Sequence, residues 1–151
     1  CIYQEKGIFD LAEKNYEKAL DLATTSERKS SIYENMANMY LYYRKDYRKA
    51  INLYLQAIEL NDSGNLYKDL GRAYYKIHQK KKAEEVWLKA VNEKNFNGTY
   101  FKRGTYYFLA LYYLETKEYQ KSKENILKAI ELSPNNNQYL TFYKKLKRYI
   151  P

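Results

Sequence analysis

Four segments of the chain carry two small residues seven positions apart with one large residue between them. In the third segment the small residues are Ala83 and Ala90, and the large residue is Trp87. This spacing places all three on one face of an α-helix, where small residues let a second helix approach closely. The other three sets have the same spacing: Ala12, Tyr16 and Ala19; Ala50, Tyr54 and Ala57; Ser122, Ile126 and Ala129. Their last residues lie 38, 33 and 39 positions apart, and a period of this size is typical of stacked helical hairpins.

A second helical pattern precedes three of these segments. Before Trp87 it consists of Tyr67, Leu70, Gly71 and Tyr74. Glycine inside a helix costs about 1 kcal/mol relative to alanine, so we expect Gly71 to permit close packing of a neighbouring helix. One hairpin cannot bury such a face alone, and several copies must therefore stack. The equivalent residues are Tyr33, Met36, Ala37 and Tyr40 in the second copy and Tyr106, Leu109, Ala110 and Tyr113 in the fourth.

The stretch 65–91 resembles the tetratricopeptide repeat, a unit with the pattern W-x2-L-G-x2-Y, then A-x3-F, then P. Tyr67 stands at the tryptophan position, Trp87 stands at the phenylalanine position, and Asn95 replaces the closing proline. The resemblance implies an all-α fold, a right-handed α-solenoid of helix-turn-helix repeats with a C-terminal capping helix. It predicts one domain, 1–151, made of a truncated repeat 1–23, three repeats 31–61, 64–95 and 103–136, and a capping helix 138–150.

Local residues predict where the helices of these repeats begin and end. Ser30 or Ser31 is expected to cap the first helix of the second repeat, with Glu34 completing a capping box. Gly7 is expected to form the turn of the truncated repeat. The turn near 43–46 has one residue more than the turns of the later repeats.

The C-terminal segment is amphipathic. Its apolar stripe consists of Tyr139, Phe142, Tyr143, Leu146 and Ile150. We interpret this segment as a capping helix because a terminal repeat needs a polar outer face; the alternative is a basic helix that binds a membrane surface or a partner. The net charge of the chain is +9, which indicates either a solvated, lysine-rich surface or an anionic partner such as an acidic peptide or a nucleic acid.

The sequence contains little that indicates catalysis, so we predict a protein that is not an enzyme and has no cofactor and no metal site. His78 is the only histidine, and the predicted fold places it in a turn. The only cysteine, Cys1, has no evident base partner. There is no G-x4-G-K-[ST] phosphate loop and no run of 18 apolar residues.

Cys1 also bears on localisation. A chain with one cysteine forms no intrachain disulfide, which is compatible with a reducing compartment and favours the cytoplasm. A bacterial periplasmic or lipid-anchored form is the alternative, because mature bacterial lipoproteins begin with cysteine. The repeat spacing places Cys1 in the middle of a helix, so we expect a fragment with upstream sequence in the full-length protein.

The resemblance also implies a binding groove lined by the first helix of each repeat. The residues expected there are Asn35, Asn38, Tyr42, Lys68, Arg72, Lys76, Tyr107, Phe108 and Leu111. Lys68, Arg72 and Lys76 are four residues apart and share one helix face, beside the apolar side chains of the fourth repeat. Such a face can hold a peptide carboxylate next to an apolar anchor. In the alternative interpretation the cations are only solvated, and Tyr107 and Phe108 pack against the capping helix.

The sequence therefore predicts a non-enzymatic scaffold or adaptor that binds a peptide or protein segment in its groove. The alternatives are a basic helical-repeat protein that binds nucleic acid, or an accessory module of a larger enzyme or of a secretion or assembly machine. Some proteins of the family hold the C-terminal carboxylate of chaperones. We do not predict that function, because Glu34 stands where a lysine is expected.

Overall fold

The computed structural model describes the backbone of residues 2–150 and the side chains of residues 7–150. Every regular element within this range is helical, which confirms the all-α prediction. Cys1, expected in the middle of a helix, lies outside the described residues. No helix within 2–150 combines the length and the apolar composition that crossing a membrane requires.

The chain divides after Asp62 into two compact units. The first unit contains α1 (Ile2–Leu22), α2 (Ser26–Asn38), a π-helical turn (Met39–Arg44) and α3 (Tyr47–Leu60). The second unit contains α4 (Gly64–Lys76), α5 (Lys80–Asn92), α6 (Thr99–Glu115), α7 (Tyr119–Leu132) and α8 (Asn137–Leu146). In both units consecutive helices pack as hairpins, α2 on α3, α4 on α5 and α6 on α7.

Helix α2 begins earlier than the serines predicted, so the capping prediction is wrong. Thr25 is the capping residue, and its hydroxyl oxygen accepts a hydrogen bond from the Arg28 backbone N–H at 3.2 Å. Ser30 is buried inside the helix, where its hydroxyl donates to the Ala57 carbonyl of α3 at 2.8 Å. Ser30 therefore joins α2 to α3, and this contact depends on tertiary packing that a local motif does not contain.

The turn predicted at Gly7 is also absent, because α1 runs without interruption from Ile2 to Leu22. Gly7 does not have a positive φ angle, and apart from its chain neighbours and the backbone of its own helix no described atom lies within 4 Å of the position that a β-carbon would occupy there. A tight turn gives up helical hydrogen bonds and must be compensated by packing between the helices it joins. Among the described residues no such packing surrounds Gly7, so the helical hydrogen bonds continue.

In each of the three later hairpins, one residue of the turn has a left-handed backbone conformation. These residues are Lys45, His78 and Lys117, with φ angles of 55°, 62° and 63°. Each stands five positions before the first small residue of the following helix. The first of these hairpins has one additional residue. Its loop is not longer, because the additional residue belongs to the π-helical turn. The predicted turn at 43–46 therefore shrinks to Lys45 and Asp46.

Gly71 lets α4 and α5 approach closely, as its position within a helix predicted. A β-carbon at Gly71 would overlap the indole ring of Trp87 and lie 2.8 Å from its Cε2 atom. The indole N–H donates to the backbone carbonyl of Lys68 at 3.0 Å, so the ring is fixed across α4. Ala83 and Ala90 on the same face of α5 are fully buried.

Helix α8 covers the hairpin formed by α6 and α7. Tyr139, Phe142 and Leu146 are buried against Ala110 of α6 and against α7. Asn136 caps the helix, because its Oδ1 atom accepts hydrogen bonds from the backbone N–H groups of Gln138 and Tyr139. The helix ends at Leu146, so the predicted boundary at residue 150 is too long. Its apolar stripe is occupied by the fold, which agrees with a capping helix.

Candidate functional site

The predicted groove residues are distributed over both units. In the first unit Asn35 and Tyr42 are exposed, whereas the Oδ1 atom of Asn38 accepts a hydrogen bond from the Tyr54 hydroxyl at 2.6 Å. Asn38 therefore already has a structural partner. The other six residues belong to the second unit, where Lys68, Arg72 and Lys76 lie on α4 and Tyr107, Phe108 and Leu111 lie on α6. The candidate site belongs to the second unit.

The centre of this site is a stack of Arg72, Phe108 and Trp87. The guanidinium carbon of Arg72 lies 4.9 Å from the centre of the Phe108 ring. The Phe108 ring also stacks on the Trp87 ring, with 5.7 Å between the ring centres and 24° between their planes. Because Trp87 is buried and held by the Lys68 carbonyl, it fixes the ring on which the Arg72 guanidinium rests.

A cavity of about 350 Å³ opens on one side of this stack. Four aromatic rings contribute to its walls, and we call it the apolar cavity. Its lining residues are Arg72, Tyr75, Lys76, Trp87, Phe108, Leu111, Tyr112 and Glu115. Leu111 is 37% exposed at this cavity, which leaves apolar surface in contact with water. A cavity of this size and composition suits a large apolar side chain.

The edge of the apolar cavity is held by hydrogen bonds to Glu115. Its carboxylate accepts hydrogen bonds from Lys80 and from the Tyr75 hydroxyl. The Lys80 bond, followed by the Tyr75 bond, lowers the pKa of Glu115. Burial, followed by the hydrogen bond to Glu115, raises the pKa of Tyr75 to about 12. The carboxylate therefore stays charged and the phenol stays neutral at physiological pH.

Behind the same cavity, Glu84 of α5 binds two tyrosines of α6. The hydroxyls of Tyr112 and Tyr113 donate to its carboxylate oxygens at 3.0 and 2.7 Å. Burial, followed by the hydrogen bond to Glu84, raises the pKa of Tyr112 to about 12 and also raises the pKa of Tyr113. These bonds connect α5 to α6 and so help to fix the wall of the cavity.

The raised pKa values predict a loss of stability at alkaline pH. An ordinary tyrosine ionises near pH 10, so the unfolded chain releases these protons before the folded protein does. The stabilisation is complete below pH 10 and is lost as the pH rises toward the folded value of about 12 for Tyr112. In Glu84→Gln we expect tyrosinate absorbance to appear at lower pH, because the neighbouring anion is gone. The exposed Glu85→Gln on the same helix is the control, and identical titrations of the two variants would contradict the assignment.

A second cavity, of about 170 Å³, opens on the other side of the Arg72–Phe108 stack. We call it the basic cavity because three cationic side chains line it. Its lining residues are Lys68, Arg72, Tyr100, Arg103, Gly104, Phe108, Asn136 and Tyr139. Arg72 and Phe108 line both cavities and form the wall between them.

One carboxylate lies between two of the three cations of the basic cavity. Asp69 is 4% exposed and lies 3.2 Å from the Lys68 ammonium and 3.5 Å from the Arg72 guanidinium. The guanidinium carbon of Arg103 lies 4.7 Å from the centre of the Tyr100 ring, and the Lys68 ammonium lies 5.7 Å from the same ring. Tyr100 itself is 69% exposed. Two of the three cations therefore lie against an exposed aromatic ring at the cavity.

Sequence reasoning missed Tyr100, Arg103 and Asn136. Arg103 stands before the helical pattern of its repeat, and only the packing of α6 against α4 brings it to Lys68. Asn136 belongs to an asparagine run after Pro134, which is typical of a helix start but does not indicate which helix lies beside it.

Among the described residues, no three histidine, cysteine, aspartate or glutamate side chains are grouped so that they could hold a metal ion.

Tyr107, in contrast, contacts α8. Its ring lies 5.1 Å from the Tyr139 ring and 5.7 Å from the Phe142 ring, and its hydroxyl accepts a hydrogen bond from the Gln138 side chain at 3.2 Å. Neither of the two cavities includes it. For Tyr107 the geometry agrees with the alternative interpretation, packing against the capping helix, whereas Phe108 packs on Trp87.

Comparison with protein families gives two matches. Two models described as Tetratricopeptide repeat match residues 2–63 and 104–136. These ranges include three of the four sequence repeats and omit 64–103, where the pattern of the third repeat lies. No curated protein matches the sequence.

Solved structures of similar fold extend over most of the chain. The tetratricopeptide repeat domain of OM64 from Arabidopsis is 23% identical and has a TM-score of 0.71, with 83% of this chain and 99% of that domain aligned. The first such domain of Spaghetti (RPAP3), bound to the HSP90 peptide SRMEEVD, is 18% identical, with a TM-score of 0.72 and coverages of 82% and 94%. The second domain of human RPAP3, in complex with the HSP70 peptide SGPTIEEVD, is 20% identical, with a TM-score of 0.66 and coverages of 81% and 95%.

Proposed function

Because the chain belongs to the tetratricopeptide repeat family, we propose that it is a non-enzymatic scaffold or adaptor that binds a protein segment across α4 and α6. The segment carries an acidic group beside a large apolar side chain. The acidic group enters the basic cavity, and the apolar side chain enters the apolar cavity.

The observation that carries this proposal is the wall shared by the two cavities. The Arg72 guanidinium lies over the Phe108 ring at 4.9 Å, so a cation and an aromatic face meet at one point. A ligand that crosses this wall contacts the Arg72 charge on one side and the partly exposed side chains of Phe108 and Leu111 on the other. Arginine and aromatic residues at the centre of a pocket are the side chains that carry most binding energy at protein interfaces.

The structural relatives support the class of ligand. Two of them hold peptides that end in EEVD, which combine acidic residues with an apolar valine. We do not expect this chain to bind those chaperone tails, since Glu34 occupies a position where a lysine is expected for that function. Nucleic-acid binding and a role as an accessory module of a larger enzyme or machine stay predictions from the sequence.

The test is a peptide selection read out by the only tryptophan of the chain, Trp87. A displayed random-peptide library is selected on the protein, and binding of the selected peptides is measured by Trp87 emission, with SRMEEVD as a comparison peptide. We expect acidic and apolar residues to be enriched, Trp87 emission to shift on binding, and Arg72→Glu to weaken binding about tenfold or more. The exposed Lys144→Glu on α8 makes the same charge change away from both cavities and should bind normally.

A second substitution at Arg72 distinguishes a loss of binding from a loss of folding. Arg72→Glu places a carboxylate next to Asp69, so Arg72→Gln is measured beside it, and the helicity of both is compared by circular dichroism. Peptides that bind without any change in Trp87 emission, and equally well to the Arg72 variants, would show that the α4–α6 face is not the site.

A further inference from the structure

We propose that the basic cavity is a phosphate site, and that the protein segment bound by the scaffold carries a phosphorylated side chain there. This inference rests on the proposed function and specifies its ligand. The residues that would hold the phosphate are Lys68 and Arg72 of α4, Arg103 of α6, and Asn136 at the start of α8.

The charge of the basic cavity matches that of a phosphorylated side chain. Three cations line the cavity, and the carboxylate of Asp69 lies within 3.5 Å of two of them, Lys68 and Arg72. The formal charges of these four side chains at pH 7, three positive and one negative, add up to +2. A phosphorylated side chain carries about −1.5 to −2 at this pH, whereas a peptide carboxylate carries −1. Phosphate balances the cluster, and a carboxylate leaves it positively charged.

The hydrogen-bond donors of the basic cavity suit a group with several acceptor oxygens. The cations come from two different helices, so they reach a bound group from different directions. Asn136 adds side-chain N–H donors, because its Oδ1 atom already accepts from two backbone N–H groups of α8. Guanidinium groups present paired N–H donors that match phosphate oxygens. A tetrahedral group with three acceptor oxygens can use donors from several directions at once, while a planar carboxylate uses fewer.

The basic cavity has room for a phosphate group and adjoins the apolar cavity. The cavity measures about 170 Å³, several times the roughly 30 Å³ that one water occupies in the liquid, so it holds a group of several atoms. Arg72 belongs to this cavity and to the apolar cavity. A phosphate bound here therefore lies one side chain away from the apolar anchor. The geometry specifies a phosphorylated residue with a large apolar residue close to it in the partner segment.

The experiment uses three pools of degenerate peptides that differ only in one fixed central residue, which is phosphoserine, glutamate or serine. Binding of the full chain to each immobilised pool is measured at a fixed salt concentration. We expect the phosphoserine pool to bind roughly tenfold more tightly than the glutamate pool, and Arg103→Gln to abolish the difference. The control is Arg148→Gln, the same substitution at an exposed arginine that lines neither cavity. Side-chain N–H signals of Arg103, followed by NMR, should shift with the phosphoserine pool.

Each other outcome overturns this inference in a distinguishable way. Equal binding of the glutamate and phosphoserine pools would overturn the phosphate preference and leave the proposed function standing. Phosphoserine binding that survives in Arg103→Gln, with no shift of the Arg103 signals, would remove the basic cavity from the proposal. Displacement of the phosphopeptides by an oligouridine that itself binds more tightly would assign the cations to nucleic acid. Binding of none of the pools would overturn the phosphate site, while the Trp87 emission measurement judges the proposed function separately.

Discussion

Replacing Trp87 with alanine is expected to lower the free energy of unfolding by about 3–5 kcal/mol, the usual cost of removing a buried tryptophan. The ring is 2% exposed and fills the gap that Gly71 leaves on α4. It also contacts the rings of Phe108 and Tyr75, with centres 5.7 and 5.9 Å away. Alanine would leave a cavity between α4, α5 and α6 that these rigid neighbours cannot fill. A loss of this size is a large part of the 5–15 kcal/mol that stabilises an ordinary domain.

The measurement is urea unfolding followed by circular dichroism on the wild type and on two variants. Trp87→Phe retains a ring but loses the N–H that donates to the Lys68 carbonyl, so we expect a smaller loss of about 1–2 kcal/mol. In Trp87→Ala, the higher helix propensity of alanine offsets about 0.5 kcal/mol of the stability that is lost with the ring. If Trp87→Ala unfolded within 1 kcal/mol of the wild type, the ring would not be the packing centre of the second unit.

The second large effect is expected for Leu146→Ala at the end of α8. Leu146 is fully buried in the cluster that joins α8 to α6 and α7, and we expect a loss of about 2–5 kcal/mol. The same helix supplies a matched control, because Leu140 is 41% exposed. Leu140→Ala should cost less than about 1 kcal/mol. The difference between two identical substitutions on one helix measures burial directly.

Both leucine variants are compared by thermal and urea unfolding with circular dichroism. Equal losses for the two would mean that α8 is not attached through the face that contains Leu146. Because Asn136 precedes α8 and lines the basic cavity, detachment of the helix should also weaken phosphopeptide binding. Leu140→Ala should leave this binding unchanged, so one pair of variants connects the capping helix to the candidate site.

The helical hairpins could be predicted from sequence because their determinants are local and repeated. The spacing of Ala83, Trp87 and Ala90 places three side chains on one helix face, whatever the rest of the chain does. Gly71 could be assigned to close packing for the same reason, since a mid-helix glycine is otherwise only a cost. The same spacing recurs in each copy, and the observed bounds of the later hairpin helices agree with the bounds that it predicts.

The starts of the first helices could not be predicted equally well. Residues 24–31 contain several serines and threonines, and each has a side chain that can cap a helix. Local chemistry does not rank Thr25 above Ser30. The choice depends on the Ala57 carbonyl of α3, which accepts the Ser30 hydroxyl inside the folded hairpin. Gly7 is a similar case, because a glycine permits a turn but only a packed partner helix makes one favourable.

Periodicity along the chain thus determined which residues form helices and which side of each helix is buried, since both follow from 3.6 residues per turn. The contents of the two cavities were decided by tertiary structure alone. Lys68 and Arg103 are 35 positions apart, Asn136 lies another 33 positions away, and no local spacing relates them. They line one cavity because α4, α6 and the start of α8 converge there. The relative rotation and separation of packed helices depend on the volumes of residues such as Gly71 and Trp87, which only the assembled core reveals.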